Sequence, residues 1–145
     1  MKLKTICLTL GFSEQDIIIG RKAFYKTNPH AKRLKIFPVG DDLLDEVVGD
    51  TLQAAADGSK KAGDLPVDSD PAFRVMLIDS RDRNQVIKIM RSFKKVLPEP
   101  ENMIFAMMTD TAKGWTFRYY FDHLAQEHAF MKTHSPKENP DMRKI

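Results

Sequence analysis

The sequence predicts an α/β protein, a duplicated βαβα unit whose four strands form one largely parallel sheet with covering helices. Shifted by 69 residues the chain partly matches itself, with Leu8, Ile18, Phe24, Lys26 and Pro29 falling on Leu77, Ile87, Phe93, Lys95 and Pro98. Hydrophobic class follows the same register, since Ile6, Cys7 and Leu8 fall on Val75, Met76 and Leu77, and Ile17 falls on Val86. With one residue removed from the second copy, Ile36 and Phe37 fall on Ile104 and Phe105. Each copy reads strand, helix, strand, helix, and strands joined through a helix lie parallel with a right-handed crossover.

The first strand is the apolar run Thr5 to Leu10. Ser13 precedes Glu14, Gln15 and Asp16, an N-cap followed by acids that suit the positive end of a helix dipole. That helix runs to about Lys26, and Pro29 prevents its continuation. The second strand is Leu34 to Val39. Gly40-Asp41-Asp42 then reads as a turn and cap, opening a helix whose inward face is Leu44, Val47, Val48 and Thr51. The third strand is Arg74 to Asp79. In the helix that follows, Val86, Ile89, Met90, Phe93 and Leu97 make a regular helical stripe, ended by Pro98 and Pro100. The fourth strand is Met103 to Met108. After the loop from Thr109 to Gly114, a last helix from about Thr116 to Lys132 carries Phe117, Tyr120, Phe121, Leu124, His128 and Met131 on its buried face.

The halves are therefore 1–56 and 73–132 of a single domain, with a flexible linker expected at 57–72, rich in Gly, Asp, Ser, Lys and Pro, and a disordered tail at 134–145. Two independently folded halves would each be too small to bury both faces of two strands. A content of 42% hydrophobic and 30% charged residues is that of a water-soluble globular protein, and no stretch approaches the length of apolar sequence that spans a membrane. The start of the chain lacks a small-residue cleavage site after its brief apolar run, so a cytoplasmic location is expected. The single cysteine, Cys7, lies mid-strand and reads as a small buried hydrophobe. A net charge of +3 steers nothing strongly by itself.

In a parallel sheet, ligands sit beyond the carboxyl ends of the strands. The loops there would bring Asp41, Asp42, Asp79, Asp82 and Asp110 together as a small-ligand or magnesium-type site, with Arg81 offering the opposite choice of an anion. Helix capping explains the same residues without any ligand. His123 and Glu127 are spaced to share a metal or to form an ordinary salt bridge, and no third ligand stands in a recognisable pattern. Lys88, Arg91 and Lys95, with Lys22 and Lys26 on the matching face of the first helix, make a basic stripe able to track phosphates, or simply a solvated face. Trp115 reads as a core lid or as an exposed anchor for a partner, with Tyr119 beside it. No Gly-rich or Walker-type phosphate loop is present, so no cofactor is expected.

The segment carrying Ile104-Phe105-Ala106, Thr109, Trp115, Glu127-His128 and Met131 resembles the prokaryotic family called domain of unknown function 3783, over roughly Phe73 to His134. The Gly-Phe-Ser turn of that family reads Asp79-Ser80-Arg81 here, and stands instead in the first half at Gly11-Phe12-Ser13. The resemblance implies no catalytic residue and no ligand. The leading expectation is a non-enzymatic binding or regulatory module, with a protein partner or a second copy contacting Trp115, Tyr119, His123 and Glu127. A ligand or metal site at the strand ends, possible for an enzyme, ranks second. Nucleic-acid contact through the basic helices ranks third, because no aromatic residues interleave with the cations.

Overall fold

The computed structural model describes residues 5–31, 34–58 and 73–134. The predicted linker from residue 59 onward and the tail from 135 onward lie outside them. Four strands, β1 (Ile6–Leu10), β2 (Lys35–Pro38), β3 (Arg74–Asp79) and β4 (Met103–Met107), form one sheet in the order β2-β1-β3-β4. Alternation along every strand sends side chains to two faces, both apolar and both covered. On one face Cys7, Ile36, Met76, Ile78 and Phe105 pack under α1 (Glu14–Thr27) and α3 (Arg83–Val96). On the other, Leu8, Phe37, Leu77, Ile104 and Ala106 pack under α2 (Val48–Ala56), α4 (Asp110–Lys113) and α5 (Phe117–His134).

Within each half the strands are parallel, β1 with β2 and β3 with β4. The central pair, β1 with β3, is antiparallel. The expectation of a largely parallel sheet thus holds for the outer pairings and needs correction at the middle. A short helical crossover forces parallel strands, whereas the long segment between α2 and β3 leaves their relative direction free.

Pairing also corrects the register inferred from the sequence. Ile6 lies opposite Lys35, and Val75 lies opposite Ile104, so the 69-residue offset continues unbroken through the second strand of each half. Ile36 corresponds to Phe105 and Phe37 to Ala106, the first pair facing α1 and α3 and the second pair facing the other layer. Removing one residue would have put Phe37 and Phe105 in corresponding places, yet they lie on opposite faces, as a one-residue slip requires.

The helices form where their local signals place them, with one exception. Ser13 caps α1 through a reciprocal box: its Oγ accepts from the Asp16 N–H and its own N–H donates to Asp16 Oδ2, each at 3.1 Å. Asp82 caps α3 by accepting from the N–H groups of Asn84 and Gln85 at 3.0 and 3.3 Å. The exception is α2, which starts at Val48 rather than at the Asp41-Asp42 turn, without a side-chain cap. Asp41 to Leu43 form a separate 3-10 turn, and Leu44 to Val47 are drawn off as a strap. Val47 bridges Thr116, the Val48 N–H donates to the Trp115 carbonyl at 2.8 Å, and the Phe117 N–H donates to the Glu46 carbonyl at 3.1 Å. These backbone bonds replace a side-chain cap and tie the start of α2 to the start of α5. The short helix α4, capped by Thr109 accepting from the Ala112 N–H at 3.1 Å, falls in what the sequence reads as loop.

Two close contacts define the layer over Cys7 and Met76. Gly20 lets α1 approach α3, since a Cβ there would lie 2.2 Å from a ring carbon of Phe93, which is fully buried. The Phe93 ring in turn meets Phe12 edge-on, with centroids 6.0 Å apart, and Phe105 at 6.2 Å. Arg74, wholly buried at the start of β3, donates to the Pro98 and Glu99 carbonyls ahead of β4, and its Nη1 lies 4.0 Å from Asp16 Oδ2. Its Nε and Nη1 have no hydrogen-bond partner. A buried cation so placed depends on the Asp16 carboxylate beside it.

Candidate functional site

The antiparallel centre decides the fate of the proposed carboxylate cluster. The carboxyl ends of β1 and β2 point to one end of the sheet and those of β3 and β4 to the other. Asp41 and Asp42 follow β2, whereas Asp79, Arg81, Asp82 and Asp110 follow β3 and β4, so the six do not converge. Those in the second group have local partners or face water. Asp82 is engaged as the α3 cap, Asp79 Oδ1 lies 3.8 Å from Lys113 Nζ, and Arg81 and Asp110 are exposed. Among the described residues no group of three or more His, Cys, Asp or Glu stands within reach of one metal ion.

The last helix brings the other predicted residues together. Trp115, half-buried at the foot of α5, meets Tyr119 edge-on with ring centroids 5.0 Å apart, and also meets His123 at 5.5 Å. Tyr119 and His123 have nearly parallel rings, 15° apart in plane, with centroids separated by 6.5 Å. His123 Nε2 lies 3.6 Å from Glu127 Oε2, an i,i+4 pair on the outer side of the helix. A third ring, Tyr120, joins from the core side at 5.4 Å from Trp115. Burial, followed by the negative charge of Glu127, pushes the Tyr120 phenol up to about 12.

α5 therefore carries two stripes. Phe117, Tyr120, Phe121 and Leu124 face the sheet. Tyr119, His123, Glu127 and Phe130, at spacings of four, four and three, run along the other side, and Tyr119 and Phe130 are 55% and 54% exposed. Tyr120 and Phe130 were not singled out as site residues from the sequence, although their helical spacing from Trp115 and Tyr119 was available. His128, expected in the buried stripe, is half-buried and its Nε2 bonds the Glu101 carbonyl at 2.7 Å, which ties α5 to the turn before β4. The side chain of Met131 lies outside the described residues.

The remaining ionisable groups are plain in role. Cys7 is fully buried and its thiol is pushed up to about 12 by that burial, so it is neither a nucleophile nor a ready metal ligand. Arg118 Nε donates to Asp45 Oδ1 at 2.9 Å and holds that carboxyl below its usual range, clasping the strap before α2 to α5. Lys88, Arg91 and Lys95 are exposed along α3.

Residues 74–131, which include β3 to β4 and nearly all of α5, match the family model described as Domain of unknown function (DUF3783). The matched segment therefore contains Trp115, Tyr119, His123 and Glu127, while β1, α1, β2 and α2 lie before it. No curated protein and no solved structure matches the chain. Among the described residues no helix is long and apolar enough to cross a membrane.

Proposed function

We propose that the chain is a non-enzymatic cytoplasmic binding module that associates with a second copy of itself through the outer stripe of α5. The observation that carries this reading is the aromatic row itself. A helix covering a sheet needs one apolar stripe, and α5 has a second one, turned away from the sheet and anchored by Trp115. Aromatic residues at i, i+4 and i+11 form the kind of seam that two helices bury against each other across a twofold axis, and large rings supply most of the energy in such contacts. The Glu127 carboxylate beside His123 gives the seam a polar edge.

The βαβα unit is, in this reading, duplicated, one copy retaining the scaffold and the other acquiring the contact surface. The constant 69-residue offset of both strand registers and of both long helices supports it. A ligand or metal site at the strand ends draws no support from carboxylates divided between two ends of the sheet.

Sedimentation of the full chain across a micromolar concentration series tests the proposal. A dimer is expected, with Tyr119→Glu converting it to a monomer of unchanged circular dichroism, since Tyr119 is exposed. A wild-type monomer at every concentration, or a dimer indifferent to Tyr119→Glu, overturns it.

A further inference from the structure

The basic residues of α3 line a cleft rather than a plain helix surface. Lys88, Arg91 and Lys95, together with Thr27, Asn28 and Ser92, border an open cleft of about 270 Å³ where the end of α1 meets α3. Spaced i, i+3 and i+7, the three cations fall on one face within about 10 Å of helix axis. Among the described residues no carboxylate lines this cleft and none forms an ion pair with Lys88, Arg91 or Lys95.

Nor are these cations engaged in capping α1. The end of that helix closes on itself: the backbone N–H and the side-chain Nδ2 of Asn28 both donate to the Phe24 carbonyl at 3.0 Å, and Thr27 Oγ1 donates to the same carbonyl at 3.2 Å. The carbonyl that would otherwise attract a lysine already has its donors. Ser92 Oγ likewise donates to the Lys88 carbonyl at 2.8 Å, leaving its lone pairs rather than its proton toward other groups. Asn28 Nδ2 also donates to Thr27 Oγ1 at 2.9 Å, so the donors left to the cleft are those of Lys88, Arg91 and Lys95.

The corresponding positions in the other half supply an independent observation. Lys22 and Lys26 stand where Arg91 and Lys95 stand, so a basic outer face belongs to both helices. The other four lining positions differ in kind: Ile19 and Ala23 correspond to Lys88 and Ser92, while Val96 and Leu97 correspond to Thr27 and Asn28. The hydrophilic lining is present at one of the two corresponding places and replaced by apolar residues at the other.

We propose that this cleft is an anion site for the phosphate group of a small phosphorylated molecule, with the forked guanidinium of Arg91 as the directional donor and Lys88 and Lys95 as flanking charges. A nucleic-acid strand would need the positive track to continue. Past Lys88 the neighbouring concavity turns instead to Gln85 and Asp82.

The test is a titration of the isotope-labelled full chain with inorganic phosphate at constant ionic strength, read by amide chemical shifts. Saturable shifts confined to residues 27–31 and 85–95 are expected at millimolar phosphate. Arg91→Glu is expected to weaken binding at least about tenfold, and Lys22→Glu, the same charge change at the corresponding position, by less than about twofold. Both residues are exposed, so both variants fold. Absence of saturable shifts overturns the proposal, as does equal weakening by the two variants, which would mean general attraction only. Binding of a single-stranded oligonucleotide with steep salt dependence, in the absence of phosphate binding, overturns it in favour of a nucleic-acid surface.

Discussion

The two halves of the molecule share many apolar core positions and differ most along the outward face of their second helix. Helix α1 spans Glu14–Thr27 and α3 spans Arg83–Val96, the same length at the same 69-residue displacement. Ile17 and Phe24 are buried in one, Val86 and Phe93 in the other. Leu8 pairs with Leu77 across the central strands and Val47 bridges Thr116, each residue meeting its own counterpart in antiparallel fashion. Beneath α2 and α5 the inward residues also correspond, Val48, Leu52 and Ala55 with Phe117, Phe121 and Leu124. Outward they do not. At the same 69-residue displacement Glu46, Asp50 and Ala54 stand against Trp115, Tyr119 and His123. Buried positions are constrained by volume and by the face of the sheet they fill, whereas an outward stripe can be exchanged at little cost to the fold. The exchanged positions are accordingly where this molecule's contacts with other molecules are best sought.

The correspondence can be broken most severely at Gly20, whose counterpart is Ile89. Gly20→Ile makes the helices alike in sequence but drives a branched side chain into the Phe93 ring, which has no exposed side to move toward. A loss of about 3 kcal/mol or more is expected in urea unfolding. A loss under about 1 kcal/mol would mean that α1 and α3 are not in close contact.

The next effect in size concerns Asp16, whose counterpart is Gln85. Asp16→Asn removes the carboxylate beside the buried Arg74 and weakens the reciprocal cap with Ser13, for an expected loss of about 2–4 kcal/mol. Gln85→Glu, at the half-buried counterpart without a buried arginine, is expected to change stability by no more than about 0.5 kcal/mol. Equal effects in the two variants would show that the ion pair does not distinguish the halves.

The smallest effect lies at the clasp between the strap and α5. Its hydrogen bond to Arg118 lowers the pKa of Asp45 below the ordinary value of 3.8. A carboxyl depressed on folding adds stability above its unfolded pKa, and that contribution is lost only as pH falls through the lower folded value. The Asp45 carboxyl resonance is therefore expected to titrate below pH 3.8 in the native chain and to return to an ordinary midpoint in Arg118→Ala. Because Asp45 is fully exposed, global stability near neutral pH is expected to change little. An unshifted midpoint in the native chain would remove the clasp from the comparison.

Much of the architecture is legible in the sequence. Strand positions followed from apolar runs, the α3 stripe from its period, and the Ser13 and Asp82 caps from side chains that reach a helix's free N–H groups. These signals are local, involving residues within a turn or two of one another. The late start of α2 is not readable, because Leu44 to Val47 have a helical apolar pattern yet Leu44 and Glu46 accept from the N–H groups of Arg118 and Phe117, and Val47 bridges Thr116, far along the chain. The dispersal of the aspartates was hidden for a related reason. Each sits where its local turn predicts, but which turns become neighbours depends on strand direction across the middle of the sheet.

By itself, then, the sequence determined the four strands, the α/β class, the caps of α1 and α3 and most of the core, since those depend on side-chain reach and on periods of two or 3.6 residues. Only the tertiary structure decided that β1 and β3 run in opposite directions, that Phe37 and Phe105 face opposite layers, and that Tyr119 and His123 form an outer row against half-buried Trp115 while the carboxylates do not meet. The physical reason is that a long connection places no constraint on direction. The choice falls to the arrangement that buries both faces of the sheet in one register, a property of all the layers at once.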